Sequence, residues 1–251
     1  MRIEILVVGD ELLNGQTDPY PAGMMKEIRA RGAYVSRLTV ITDDVAVIAA
    51  ELKASKERGT ELLIVTGGLG PTIDDVTRHA LAQFLEVDLI LDRRAEQWLE
   101  ESLRRMHGRR PRTTTEALLM AKIPLGSRAL SNPIGAACGI DAISDRMRIV
   151  CLPGFPKEMA AMFDLHVLPL ILPEPVVERE FRVKLRETTL EPIFQLLAKE
   201  FEVRIASLPK EDWRANGNVV VIKGRSDEVE AASKRFLRLT ANKKDEFLDE
   251  D

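Results

Sequence analysis

The sequence predicts an α/β protein with a mostly parallel, three-layer sheet, followed by a second, smaller α+β domain. Three observations lead there. Short apolar runs alternate with stretches of helical periodicity through the first part of the chain. A glycine-rich turn joins one apolar run directly to a helix. Pro169 to Pro175 carries three prolines in seven residues, which reads as a linker. Alternation of strand and helix places parallel strands at the centre and helices on both faces. The expected divisions are 1–170, 176–242 and a flexible acidic tail, 243–251.

The elements follow in order. Ile3 to Val8 is a first strand, and Ala22 to Arg31 a helix stopped by Gly32. Tyr34 to Ile41 is a second strand, and Val45 to Arg58 a helix that Asp43 or Asp44 can cap. Leu62 to Thr66 is short, apolar and bounded, as a buried parallel strand should be. Val76 to Leu85 and Asp92 to Met106 have helical periodicity, with Arg104, Arg105 and His107 suiting the negative end of the second. Strands are expected near Ala137 to Ile143 and Arg148 to Leu152, and a short helix from Pro156. Beyond the linker come a strand (Glu180 to Leu185), a helix (Leu190 to Phe201), two strands (Val203 to Leu208, Asn218 to Lys223) and a helix (Ser226 to Leu239).

Composition narrows the class. The 251 residues can bury a sizeable core, and 45% hydrophobic with 30% charged residues exclude a disordered chain. A net charge of −4 argues against broad nucleic-acid affinity. Cys138 and Cys151 form no C-x-x-C pair, and with His79, His107 and His166 scattered they offer no zinc framework. Both read as buried structural thiols. No apolar stretch approaches ~20 residues and no leader pattern opens the chain, so a cytoplasmic protein without membrane contact is expected.

The most informative stretch is Thr66 to Thr77. Gly67, Gly68 and Gly70 lie between a strand and a helix, where backbone N–H groups can approach an anion without Cβ obstruction. The following helix adds its orphan donors and the positive end of its dipole. Asp74 and Asp75 stand at the far side. Two carboxylates beside a phosphate repel it unless a divalent cation lies between. The loop therefore reads as a phosphate site working with magnesium, manganese or cobalt. The bland alternative is a tight turn with Asp74 or Asp75 as helix cap.

Thr66 to Ala80 resembles the signature of the molybdopterin-binding domain family, Gly-Gly-x-Gly followed by Asp-x-Thr ahead of a helix. Three further segments match in order: Val8 to Gln16, Asn132 to Ala137, and Leu152 to Met159. The combination is most similar to the amino-terminal part of the competence/damage-inducible protein A family, clearly over residues 1–170. The final β-α-β-β-α unit resembles that family's KH-like middle domain, without a Gly-x-x-Gly loop, which implies a structural or dimerising role. Long family members carry a further amidohydrolase domain; nothing in these residues corresponds to it, so nicotinamide mononucleotide deamidation is not expected.

The resemblance implies a ligand crevice and a set of residues around it. Gly9, Asp10 and Glu11 lie in the first loop, and Asp43 matches a second acidic residue important in related molybdopterin enzymes. Asp75 is the strongest candidate and Asp74 its helper, the pair forming the metal site. Asp75, Asp43, Asp10 and Glu11 are the candidate catalytic groups. Thr66, Gly67, Gly68, Gly70, Thr72, Asn132, Gly135, Pro153 and Gly154 join Gly9 as substrate contacts. Lys157 is a further phosphate candidate, and Arg109 to Arg112 a weaker one. Two departures stand out: Pro21 replaces an Asn usual in relatives, and Cys138 stands where relatives often carry proline. The implied activity is metal-dependent hydrolysis of a nucleotide diphosphate such as ADP-ribose or FAD. The alternatives are a molybdopterin binder or adenylyltransferase of molybdenum cofactor assembly, and a non-enzymatic interaction module. A homodimer or homotrimer is the implied assembly.

Overall fold

The structure is a computed structural model, and it describes residues 1–15, 20–107, 113–173, 176–208, 217–241 and 243. The chain divides into two compact units, Met1–Leu172 and Pro173–Asp251.

The first unit is built on a six-stranded sheet in the order β2-β1-β3-β8-β7-β6. Strands β1 (Ile3–Val8), β2 (Val35–Ile41), β3 (Leu62–Thr66) and β8 (Met147–Leu152) run parallel. Strands β7 (Gly139–Ser144) and β6 (Arg128–Leu130) complete one edge in antiparallel pairing. β1 and β3 are buried along their whole length, as central strands covered on both faces must be. Helices α3 (Val45–Glu57), α4 (Thr77–Leu85) and α5 (Arg93–His107) cover one face, packing Ile48, Leu52, Leu81 and Leu99 against Leu63 and Val65. Helices α2 (Tyr20–Ala30) and α7 (Pro156–Met162) cover the other, where Met24, Ile28, Met159 and Met162 meet Ile5 and Ile64.

Several short elements escape sequence reading: α1 (Asp10–Leu13), β4 (Leu89–Leu91), α6 (Thr115–Leu119), β5 (Lys122–Pro124) and β6 itself. Three to five residues are too few to display a period. The proline run also differs from a plain linker. Leu168–Leu170 forms a 3₁₀ turn, and Ile171 is buried in the core of the first unit. Pro21 sits in the first turn of α2, where a missing N–H costs nothing.

The second unit places β9 (Val176–Val183), β10 (Val203–Leu208) and β11 (Asn218–Arg225) in an antiparallel sheet of order β10-β11-β9. Helices α8 (Glu187–Glu200) and α9 (Ser226–Thr240) bury Leu190, Leu197, Val229 and Phe236 against Val220 and Ile222. The first strand starts earlier than expected, because Val177 and Phe181 extend the buried alternation toward the amino end. The arginine run 109–112 and the tail 244–251 lie outside the described residues.

Candidate ligand site at the carboxyl ends of the strands

Ligands of open parallel sheets bind beyond the carboxyl ends of the strands. Here β2, β1, β3 and β8 are neighbours, so four loops open on one edge. Val7 pairs with Thr66, and Thr66 with Leu152. The loops continue that register: Gly9 N–H donates to Ile41 O at 3.0 Å, and Gly67 N–H to Leu152 O at 3.0 Å. Gly154 lies against Gly67, whose Cα would stand 3.3 Å from any Cβ added there. Pro153 is buried, whereas Gly154 and Phe155 are exposed.

The glycine loop has a definite peptide orientation. Thr77 Oγ1 donates to Gly67 O at 2.8 Å, and Thr77 N–H to Gly68 O at 3.1 Å. Arg78 donates to the carbonyls of Leu69 and Gly70, the latter at 2.9 Å. Four consecutive carbonyls therefore point back at the start of α4. In a trans peptide C=O and N–H point oppositely. Drawing in the carbonyls of Gly67 and Gly68 turns the N–H groups of Gly68, which is half-buried, and Leu69, which is buried, away from α4, and neither has a protein acceptor among the described residues. The sequence permits this because Gly67 and Gly68 hold φ of +96° and +67°. A Cβ at Gly67 would meet the Val8 carbonyl oxygen, and one at Gly68 the Thr77 hydroxyl. Thr66, at the end of β3, is buried.

Asp75 has a different place from the expected one. Its Oδ1 accepts from Gly70 N–H at 2.6 Å, and its Oδ2 from Thr72 N–H at 2.9 Å and Thr72 Oγ1 at 2.6 Å. The carboxylate braces the loop from within. Asp74 is exposed. Neither caps α4 by its side chain. Among the described residues no group of three or more His, Cys, Asp or Glu side chains is placed to hold a metal ion. The residues present thus do not form a ready metal cradle.

The other carboxylates divide their roles. Asp44, not Asp43, caps α3, accepting from Ala46 N–H at 2.8 Å and Val47 N–H at 2.9 Å. That leaves Asp43 free to accept from the Asp10 N–H at 2.9 Å, tying the second loop to the first. Thr42 Oγ1 donates to Asp10 Oδ1. Burial pushes the Asp43 carboxyl above its ordinary range, and the nearby charges of Asp10, Glu11 and Asp74 add to the rise, against the Asp10 N–H, which lowers it. Asp10, Glu11 and Asp74 thus lie near enough to Asp43 for their charges to be felt there, which brings carboxylates of three loops to one edge of the sheet. Gly9 is extended, and an added Cβ would meet only the movable Glu11 side chain.

The middle motif serves packing more than the sequence reading supposed. Asn132 is buried; its amide donates to Ala137 O at 3.0 Å and Glu158 Oε2 at 2.7 Å. Its Oδ1 accepts from Ile134 N–H and Gly135 N–H at 3.1 and 2.8 Å. All four hydrogen-bonding positions of the side chain are engaged within the protein. Gly135 is needed because a Cβ would collide with Glu158, and its carbonyl accepts from Ser102 Oγ at 2.6 Å. Lys157 is exposed in the first turn of α7. Sequence reasoning marked Thr77 only as the last residue of the signature, without its role, and missed Arg78, which looks like an ordinary first-turn helix residue.

Comparison with known proteins agrees with this fold. Residues 4–173 match the family described as "Probable molybdopterin binding domain". A protein of Pyrococcus furiosus is 37% identical over 216 residues, covering 84% of this chain and 86% of that one. A CinA-like protein of Geobacter metallireducens is 35% identical over 215 residues, covering 84% of this chain and 49% of its own length. The crystal structure of the protein CinA from Thermoplasma acidophilum superposes with a TM-score of 0.61 at 30% identity, covering 68% of this chain and 100% of that one. The chain belongs to the competence/damage-inducible protein A family, and its first unit is a molybdopterin-binding-type domain.

Proposed function

We propose that the first unit binds a phosphorylated pterin of the molybdopterin class at the carboxyl edge of its sheet. The observation that carries the reading is the pair of N–H groups on Gly68 and Leu69 that Thr77 turns away from α4 at the end of a buried strand, without an acceptor among the described residues. Two oriented amides with no internal acceptor match the oxygens of a phosphate group. The family match over residues 4–173 supports the pterin part of the reading. The test is fluorescence of pterin co-purifying with, or titrated onto, the full chain. Saturable binding that Gly68→Val removes supports the proposal; a chain that takes up no pterin, or a variant that binds as well, refutes it.

A second reading has its own observation. Asp43 is a carboxyl made less acidic by burial and by neighbouring carboxylates, and it lies at the same edge of the sheet. A weaker acid is a stronger base, suited to activating water against a nucleotide diphosphate. Because the carboxylates form no ready metal cradle, no step is assigned to a metal. AMP release from ADP-ribose or FAD, measured with magnesium, manganese or cobalt and with chelator, tests both the hydrolysis and its ion requirement.

A further inference from the structure

Among the described residues Arg78 is the largest fully buried side chain, with 1% of its surface exposed. Two of its guanidinium nitrogens donate to the carbonyls of Leu69 and Gly70, while its Nε has no partner among the described residues. It forms no ion pair with any described carboxylate. Asp75 makes no ion pair with it, its oxygens being engaged by Gly70 and Thr72, but its charge is near enough to be felt and offsets part of that of Arg78. The two thiols nearby do not supply an anion. Burial pushes both Cys138 and Cys151 up to about 12, so each is neutral at physiological pH. Burial also works against the Arg78 charge itself, yet a guanidinium stays protonated in proteins. A buried cation without a paired anion costs several kcal/mol, and a packed apolar side chain at this position would avoid that cost. Thr77 alone orients the peptides that turn the Gly68 and Leu69 N–H groups away from α4. Holding carbonyls therefore does not by itself account for a full positive charge one shell beneath the loop.

We propose that Arg78 is a positioning residue whose buried charge, without an ion-paired carboxylate among the described residues, makes the Gly67–Gly70 loop select a doubly charged phosphate over a singly charged anion. The inference rests on the reading of this loop as a phosphate site and adds the charge state of the group it takes. Electrostatically, the need is plain. Asp10, Glu11, Asp43 and Asp74 lie at the same edge of the sheet and repel a dianion. Two amide dipoles offset little of that repulsion in water. A charge shielded from solvent acts through a lower effective dielectric and reaches the ligand at fuller strength. A terminal phosphate monoester fits this demand, whereas the internal phosphates of a diester carry one charge each.

The test uses two tetrahedral probes whose charges do not vary near neutral pH: sulfate, a dianion, and methanesulfonate, a monoanion. Each is titrated onto the full chain while the amide resonances of Gly68 and Leu69 are followed by NMR. The wild-type chain is expected to prefer sulfate by about tenfold or more. Arg78→Met is expected to lose that preference. Arg78→Lys, which keeps the charge but not the two-carbonyl grip, is expected to keep the preference and bind both anions more weakly. If the Met variant fails to fold, the Lys variant decides alone: wild-type affinities or a lost preference overturn the inference. Equal preference in the wild type and Arg78→Met also overturns it. A wild-type chain that binds neither anion removes the phosphate reading, and this inference with it.

Discussion

Replacing Asp75 by Asn separates the two roles this residue has been given. The structure makes it a brace, with three hydrogen bonds holding Gly70 and Thr72. A hydrogen bond to a charged group contributes about 1.5–3 kcal/mol when a donor is left unmatched. Asn retains one acceptor oxygen, so it can serve either Gly70 or Thr72 but not both, and its amide faces an N–H on the other side. Asp75 is only partly buried, and water satisfies some of the freed donors. The net cost is then about 1–3 kcal/mol. For a domain of this size that lowers Tm by roughly 2–12 °C. Thermal unfolding followed by circular dichroism, without added metal or ligand, reads the effect. As a metal ligand, Asp75 would behave oppositely: removing one carboxylate from an acidic edge would leave Tm unchanged or raise it. An Asp75→Asn chain at least as stable as wild type refutes the brace.

Three other outcomes follow from the same structure. Gly67→Ala places a Cβ against the Val8 carbonyl in a left-handed conformation; the conformation alone costs about 1–2 kcal/mol, so both Tm and pterin binding should fall, and an unchanged Tm would contradict the geometry. Burial raises the Glu4 and Asp141 carboxyls, but Arg58 for Glu4, and Arg148 with Arg128 for Asp141, outweigh it and hold both below their ordinary values of 4.5 and 3.8. Their stabilisation is therefore present above those values and lost as pH falls through the lower folded ones, so Tm should drop on acidification below about pH 4.5, with the drop flattened in Asp141→Asn. Should the chain hydrolyse ADP-ribose, Asp43→Asn is expected to cut AMP release by about 100-fold or more and to remove the acidic limb of its pH profile, the loss expected of a general base.

Much of the scaffold is legible in the residues themselves. The short runs Ile3 to Val8, apolar but for Glu4, and Leu62 to Thr66, apolar but for its last residue, read as strands buried on both faces, and Gly67 and Gly68 announce a tight turn. The short antiparallel strands are not legible, because Leu89–Leu91 and Lys122–Pro124 are three residues each and carry no period. At the site, residue type marks the loops but does not divide labour among neighbours. Asp43 and Asp44 are equally good caps in sequence; only the backbone shows that Asp44 caps and Asp43 reaches the Asp10 N–H. Asp75 looks like a ligand because carboxylates near glycine loops often are, and only its hydrogen bonds reveal the brace. Arg78 is the furthest from view. An arginine in the first turn of a helix reads as solvent-exposed, and nothing in its neighbours signals that the chain folds over it.

In the proposed binding mode the Gly68 and Leu69 amides receive the phosphate of a pterin ligand. The most direct measurement is the amide NMR spectrum of the full chain titrated with a phosphorylated pterin. The account predicts that the Gly68 and Leu69 resonances shift first and saturably, with Asp10 and Gly154 on the adjoining loops following. Saturable binding that leaves those two amides unmoved would contradict it.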